Sequence, residues 1–253
     1  MHLEFAMFSS SNSQHESPQI TVLYDNRKHN PALMEGFGFS CFVEWHNKKI
    51  LFDTGGKSSV FLDNANKQHI PFDQITSVVF SHHHWDHTSG IDELLKRISF
   101  QTKIYLPGAC SSLQKRISKD FQVKMVKHLE KIDDEIYLLV LKGSYFFCSI
   151  YELALLLNTP KGVVIITGCA HPGIVKIVQE AQATLGPVQM VLGGFHLCHK
   201  TEGASAKVVK QLKELSVGQI APCHCVGDLA IAQFKKEFGK NFIQVGTGSI
   251  IKV

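Results

Sequence analysis

Six consecutive residues, His82-His83-His84-Trp85-Asp86-His87, limit what this chain can be more than any other stretch. Five of them can donate an electron pair to a cation, and they follow directly on the apolar run from Ile75 to Ser81. On a helix, at about 100° per residue, His82 and His84 would point to nearly opposite sides, whereas in an extended segment residues two apart share a face. The stretch therefore reads as a strand running out into a loop. His82 and His84 can then grip one metal, and Asp86 and His87, once the backbone turns, can face a second. An exposed polar loop accounts for the same residues less well, because a carboxylate follows at fixed spacing and further histidines recur where other strands end.

Around this stretch, short apolar runs alternate with polar turns. Residues 9–18, rich in Ser, Asn and Gln, read as part of a flexible leader over 1–18, which leaves 19–253 as one domain. The first half predicts a strand at 20–24, a hairpin of 40–44 with 49–52, a helix at 58–68 capped by Ser58 or Ser59, a strand at 73–81 and a helix at 88–98. Strands at 103–106 and 122–128 flank a short helix at 109–117. Residues 129–160 alternate less cleanly and divide into strands at 135–141, 145–150 and 152–158. From Thr159 strand and helix alternate regularly. Strands are expected at 163–167, 188–192, 219–222 and 242–245, and helices at 174–185, 205–215 and 228–238. Three of those strand ends deliver Gly168-Cys169-Ala170-His171, Gly193-Gly194-Phe195-His196 and Cys223-His224-Cys225.

With 253 residues the chain can bury a substantial core, and no linker divides it. A net charge of +4, scattered along the chain, gives nucleic-acid binding little support and is compatible with an anionic small molecule. Seven cysteines without framework spacing point to reduced thiols and a cytoplasmic location. Most read as small buried hydrophobes; Cys169, Cys198, Cys223 and Cys225 stand apart because they flank histidines. In an extended Cys223-His224-Cys225 the two thiols face away from the imidazole, so His224 reads as the donor and the cysteines as packing residues. No apolar run approaches the roughly 20 residues that span a bilayer.

The pattern His-x-His-x-Asp-His, here His82, His84, Asp86 and His87, resembles the signature of the metallo-β-lactamase fold superfamily. The resemblance implies an α/β fold, a four-layer αββα sandwich, with a paired metal site. One ion takes His82, His84 and His171, and the other takes Asp86, His87 and His224. It also gives Asp53 a supporting role behind the metal loop. An aspartic-protease reading of Phe52-Asp53-Thr54-Gly55 needs a second carboxylate in the same setting, and no second Asp-Thr/Ser-Gly occurs. One departure stands out. Where dinuclear relatives place an Asp or Cys that touches both metals, this chain is read as offering His196, or Cys198 two residues on. A neutral imidazole cannot bridge two ions. That leaves a bridge of water alone, a weakly held second ion, or a His196 that contacts substrate. Zinc suits these donors, as one or two ions, and iron or manganese fit them as well.

An open metal position lowers the pKa of bound water to about 7 and polarises an ester or phosphate oxygen, so the expected reaction is metal-assisted hydrolysis of a small molecule. Asp86 is placed to orient the water or pass its proton on, and His196 is the second residue expected to act on substrate. No Ser-His-Asp elbow, P-loop or dinucleotide fingerprint competes. Taken with Phe37-Gly38-Phe39-Ser40, the strand-end motifs are similar to one branch of the superfamily, metal-dependent hydrolases related to dihydropterin ribofuranosylaminobenzene-phosphate synthase. That branch implies an alternative, a transferase joining a pterin to a phosphorylated aryl riboside, with Phe37, Phe39, Trp85 or Phe195 stacking on a flat ring. An iron-dependent redox protein and a non-catalytic ligand sensor are the readings from other classes. The first lacks a flavin domain, and the second is at odds with so full a set of donors.

Overall fold

Two β-sheets lie face to face because most strands are apolar on both sides, so each sheet needs a cover on each face. The computed structural model describes residues 17–108, 110–145 and 148–253; residues 1–16 of the expected leader lie outside the described residues. The first sheet has the order β13-β1-β2-β3-β4-β5-β6. Its strands are β1 (Gln19–Tyr24), β2 (Ser40–Trp45), β3 (Lys48–Phe52), β4 (Ser77–Val79), β5 (Lys103–Pro107), β6 (Gln122–Val126) and β13 (Ile250–Lys252). The second, in the order β12-β11-β10-β9-β8-β7, is built from β7 (Glu130–Asp133), β8 (Ile136–Tyr145), β9 (Cys148–Thr159), β10 (Gly162–Thr167), β11 (Val188–Gly193) and β12 (Gln219–Pro222). Helices α1 (Ser58–Lys67), α2 (Trp85–Thr88), α3 (Ile91–Leu95) and α4 (Ser111–Gln114) belong to the first half of the chain. The second half carries α5 (Ile174–Leu185), α6 (Glu202–Glu214) and α7 (Asp228–Phe238).

The period of two in the strands sorts side chains into three cores. Ile50 and Phe52 of β3 meet Val164 and Ile166 of β10 between the sheets. Leu51 faces Phe61 and Leu94 beneath the first helices, and Val163 and Ile165 face Ile177 and Val178 of α5. The result is the four-layer αββα sandwich that the metal-loop resemblance implied.

Several local expectations are corrected. The strand expected at 73–81 is only β4, because Phe72–Gln74 close into a 3-10 turn. The helix expected at 88–98 starts at Trp85 and breaks into α2 and α3 at Gly90, whose N–H is taken by Thr54 Oγ1 at 3.0 Å. Helix α1 is preceded by Lys57 as its cap residue, with no side-chain capping bond, in place of Ser58 or Ser59. In place of three strands there are two long ones, β8 and β9, paired from Ile136 with Leu157 to Tyr145 with Cys148. Residues 242–245 make a single bridge, Phe242 to Ile220, and the closing strand is β13, paired with β1. Among the described residues no helix is long and apolar enough to cross a membrane. Strands β10, β11 and β12 are mutually parallel, so their C-terminal ends open on the same edge of the sandwich.

Candidate metal centre

The loop after β4 starts from a single buried carboxylate. Asp53 sits just past β3 with φ of 56°, a left-handed conformation that aims its side chain under the next loop. Its Oδ1 accepts from Ser81 N at 2.7 Å, and its Oδ2 accepts from Ser81 Oγ at 2.6 Å and pairs with His87 Nδ1 at 2.7 Å. Burial and His87 pull the Asp53 pKa in opposite directions, and burial prevails to raise it. The supporting role expected of Asp53 therefore has a definite geometry. It holds His87 by Nδ1 and turns Nε2 inward.

Around that inward face, one oxygen of Asp86, His87, His224 and the sulfur of Cys169 place donor atoms within 4.8 Å of one another. Asp86 Oδ2 is 3.3 Å from His224 Nε2 and 3.5 Å from His87 Nε2. Cys169 Sγ lies 3.3 Å from His87 Nε2 and 3.4 Å from His224 Nε2. A second group, His82, His171 and the same Cys169, meets the same limit. His84 adjoins it, with Nδ1 3.1 Å from His82 Nε2 and its ring 4.9 Å from that of His171.

The place between the two groups belongs to Cys169. His196 instead lies beside His171, ring centroids 4.6 Å apart, and Cys198 is exposed. Sequence reasoning set Cys169 apart for its neighbours but assigned it no contact with both groups, because residue 169 precedes the histidine taken as the third ligand. The fold brings it in through Ala170, which turns the chain at φ of 58°. Glu152 was also missed. From β9, its Oε1 accepts from Cys169 N at 2.8 Å and Ala170 N at 2.7 Å, and its Oε2 accepts from His171 N at 2.8 Å and pairs with His171 Nδ1 at 2.8 Å. Burial works against this charge, but the bonds from His171 and its neighbours hold Glu152 down at about 2. A glutamate set directly before the apolar run from Leu153 to Leu157 was the signal that could have revealed it.

His224 has its own anchor. Asp25 Oδ2 accepts from His224 N at 2.8 Å, and Asn26 Oδ1 pairs with His224 Nδ1 at 3.0 Å. The expected extended geometry of Cys223-His224-Cys225 does not hold, because β12 ends at Pro222 and His224 is left-handed, φ 50°. Cys223 joins the inter-sheet core as expected of a packing residue, whereas Cys225 swings into the site, 3.7 Å from Cys169 O.

The charge states suit cation binding. Burial, with the neighbouring imidazoles, pushes His82 well below its ordinary pKa, and burial with His171 takes His84 down to about 4. Both rings are neutral at pH 7, the form in which an imidazole ligates a metal. Burial disfavours the His87 cation, but Asp53 overrides it and raises that pKa to about 9, so a cation arriving at Nε2 displaces a proton. Asp86, pulled down to about 2 against its own burial by His224 and His87, is an anion at neutral pH. Buried neutral imidazoles, an ionised carboxylate and a thiol sharing so small a volume fit a pair of divalent ions, and the set includes donors that suit zinc. His84, Asp86, Cys169 and His171 border a cleft of about 950 Å³ whose lining also includes Phe37, Trp85, Lys176 and Lys200.

Donors delivered by strand ends to one edge of an αββα sandwich are the arrangement of the metallo-β-lactamase fold. Part of the chain, residues 33–145, matches the family model of the metallo-beta-lactamase superfamily. Among individual proteins, the chain is 28% identical to the 7,8-dihydropterin-6-methyl-4-(β-D-ribofuranosyl)-aminobenzene-5'-phosphate synthase of Methanocaldococcus jannaschii, over 92% of this chain and 95% of that one. A crystal structure of a metal-dependent hydrolase of the beta-lactamase superfamily, also 28% identical, superimposes with a TM-score of 0.78 over 93% of this chain and 99% of its own. The metallo-beta-lactamase fold protein YhfI from Bacillus subtilis, 15% identical, shares the fold with a TM-score of 0.69 over 94% and 100% of the two chains.

Proposed function

We propose that the protein is a metal-dependent hydrolase acting on an ester, phosphoester or related small molecule. One divalent ion, zinc by donor chemistry, would be held by His82, His84 and His171, and a second by Asp86, His87 and His224, with Cys169 between them. The observation that carries this reading is the convergence of both groups on Cys169 Sγ. Bound ions of this kind lower the pKa of water to about 7 and polarise the substrate oxygen. The chain's own residues do the rest. Asp53 and Glu152 fix the tautomers of His87 and His171 by occupying their Nδ1 atoms. Asp86, an anion at neutral pH, would orient the attacking water by accepting its hydrogen bond.

The test is metal content and turnover together. Wild-type protein should carry up to two ions per chain and hydrolyse generic phosphodiester, lactone or thioester substrates until a chelator is added. His84→Ala should lose the ion of the first group and at least about 100-fold in turnover. Full metal occupancy in that variant would overturn the ligand assignment.

A second reading has its own support. The similarity to the methanogen synthase extends over nearly the whole chain, and Phe37 and Trp85 stack at 5.8 Å on the cleft wall while both remain more than half exposed. Such a pair offers a face for a flat ring. Incubation with a dihydropterin that carries a leaving group on its side chain and a phosphorylated aryl riboside should then yield a joined product with release of that leaving group and a proton, read by mass. No joined product, alongside robust hydrolysis of the simple esters, would leave the hydrolase reading alone.

A further inference from the structure

His196 and Cys225 have no part in the two proposed groups, yet they lie against them. Cys169 Sγ, a ring nitrogen of His196 and Cys225 Sγ are all within 4.8 Å of one another. They come from the ends of three neighbouring parallel strands, β10, β11 and β12, so the trio exists only in the folded chain.

Three features show that the backbone is arranged around these atoms. His196 N–H donates to Cys225 Sγ at 3.2 Å, an alignment that favours negative charge on the sulfur. Ala170, His196 and His224 are left-handed at φ of 58°, 53° and 50°, and each is either a donor of the trio or next in sequence to one. Non-glycine residues are held there only where surrounding structure compels it, and such strain gathers at functional sites. Finally, a side chain on Gly194 would put its first carbon 2.6 Å from Cys225 Sγ, so the absence of one is what lets this sulfur reach the edge. All three donors border the cleft, which gives an ion a way in.

We propose that Cys169, His196 and Cys225 form a further cation site, a two-sulfur, one-nitrogen set for a thiophilic divalent ion such as Zn²⁺ or Cd²⁺. Soft thiolates select such ions over magnesium or calcium, and three protein donors leave a position open toward the cleft. Binding forms two metal–sulfur bonds and one metal–nitrogen bond, and the two thiol protons pass to solvent. The site rests on the hydrolase reading only through the shared Cys169.

The full chain, freed of metal, is titrated with Cd²⁺ and followed by sulfur-to-metal charge-transfer absorption and by ¹¹³Cd magnetic resonance. The wild type should show a resonance shifted as two sulfur ligands require. Cys225→Ser and Cys169→Ser should each keep about half of the absorption, one thiolate remaining. Full absorption in Cys225→Ser with none in Cys169→Ser would overturn the site and leave Cys169 with the imidazole groups. Absence of any sulfur absorption in the wild type would also overturn it, and the imidazole groups are judged separately by the metal content of His84→Ala. Should Cys225→Ser fail to fold by circular dichroism, the wild-type ¹¹³Cd resonance decides, and a one-sulfur shift overturns the proposal.

Discussion

The two halves of the molecule bring donors to the same edge by different means. The first half does so with a single loop. His82, His84, Asp86 and His87 stand within six residues, and one carboxylate, Asp53, holds both the start of that loop at Ser81 and its end at His87. The second half distributes its donors over three strand ends, each with its own support. Glu152 holds the segment 169–171, the pair Asp25 and Asn26 holds His224, and left-handed turns aim Ala170, His196 and His224. Donors close in sequence can share one anchor, whereas donors far apart each need one, because no local backbone geometry relates them.

That contrast can be broken experimentally. The largest effect should come from Asp53→Ala, which strips partners from Ser81 and His87 at once in a fully buried position. A loss of about 3–5 kcal/mol in urea unfolding is expected, with metal content falling in both groups, since the loop carries donors of both. A stable, metal-replete variant would show that the loop needs no shared anchor. Glu152→Gln should act more locally. It keeps the shape but turns an amide toward N–H donors, at about 1.5–3 kcal/mol, and should weaken the His171 group by about 10–100-fold in chelator competition while sparing the other. Equal weakening of both groups would mean that the second half is as tightly coupled as the first. The smallest change is expected from Asn26→Ala, which removes the partner of His224 Nδ1, the bond from Asn26 Nδ2 to His224 O and the acceptor of Gly38 N–H. About tenfold weaker binding at the second group, with stability altered by at most about 1 kcal/mol, would match a single-donor anchor. A larger loss of stability would show that Asn26 serves the loop at Gly38, whose N–H it also accepts at 2.9 Å, more than the imidazole.

The same contrast explains what could be read in advance. The loop from His82 to His87 was legible because its meaning lies in local spacing, and β10, α5, β11, β12 and α7 were legible because apolar periodicity and length separate strand from helix in a regular alternation. The long pair of β8 and β9 was read as three strands because local pattern does not reveal that two strands stay paired over ten positions. Gly90 splitting a helix was hidden for a similar reason, since the residue that takes its N–H, Thr54, is distant in sequence. Cys225 was taken as a packing thiol, and Cys169 was set apart without a role, because the turns that rotate them inward use non-glycine residues in a conformation that sequence does not advertise.

By itself the sequence brought out the alternation of strand and helix and the candidate imidazole and carboxylate donors, because hydrophobic alternation and local spacing are properties of neighbouring residues, and the sandwich followed from the family resemblance that those motifs carry. Only the tertiary structure decided which sulfur stands between the two groups, which carboxylates support them, and that Cys225 joins His196 at the cleft. Those are contacts between parallel strand ends and distant loops, and they follow from how sheets stack and how individual residues turn, which no short stretch of chain encodes.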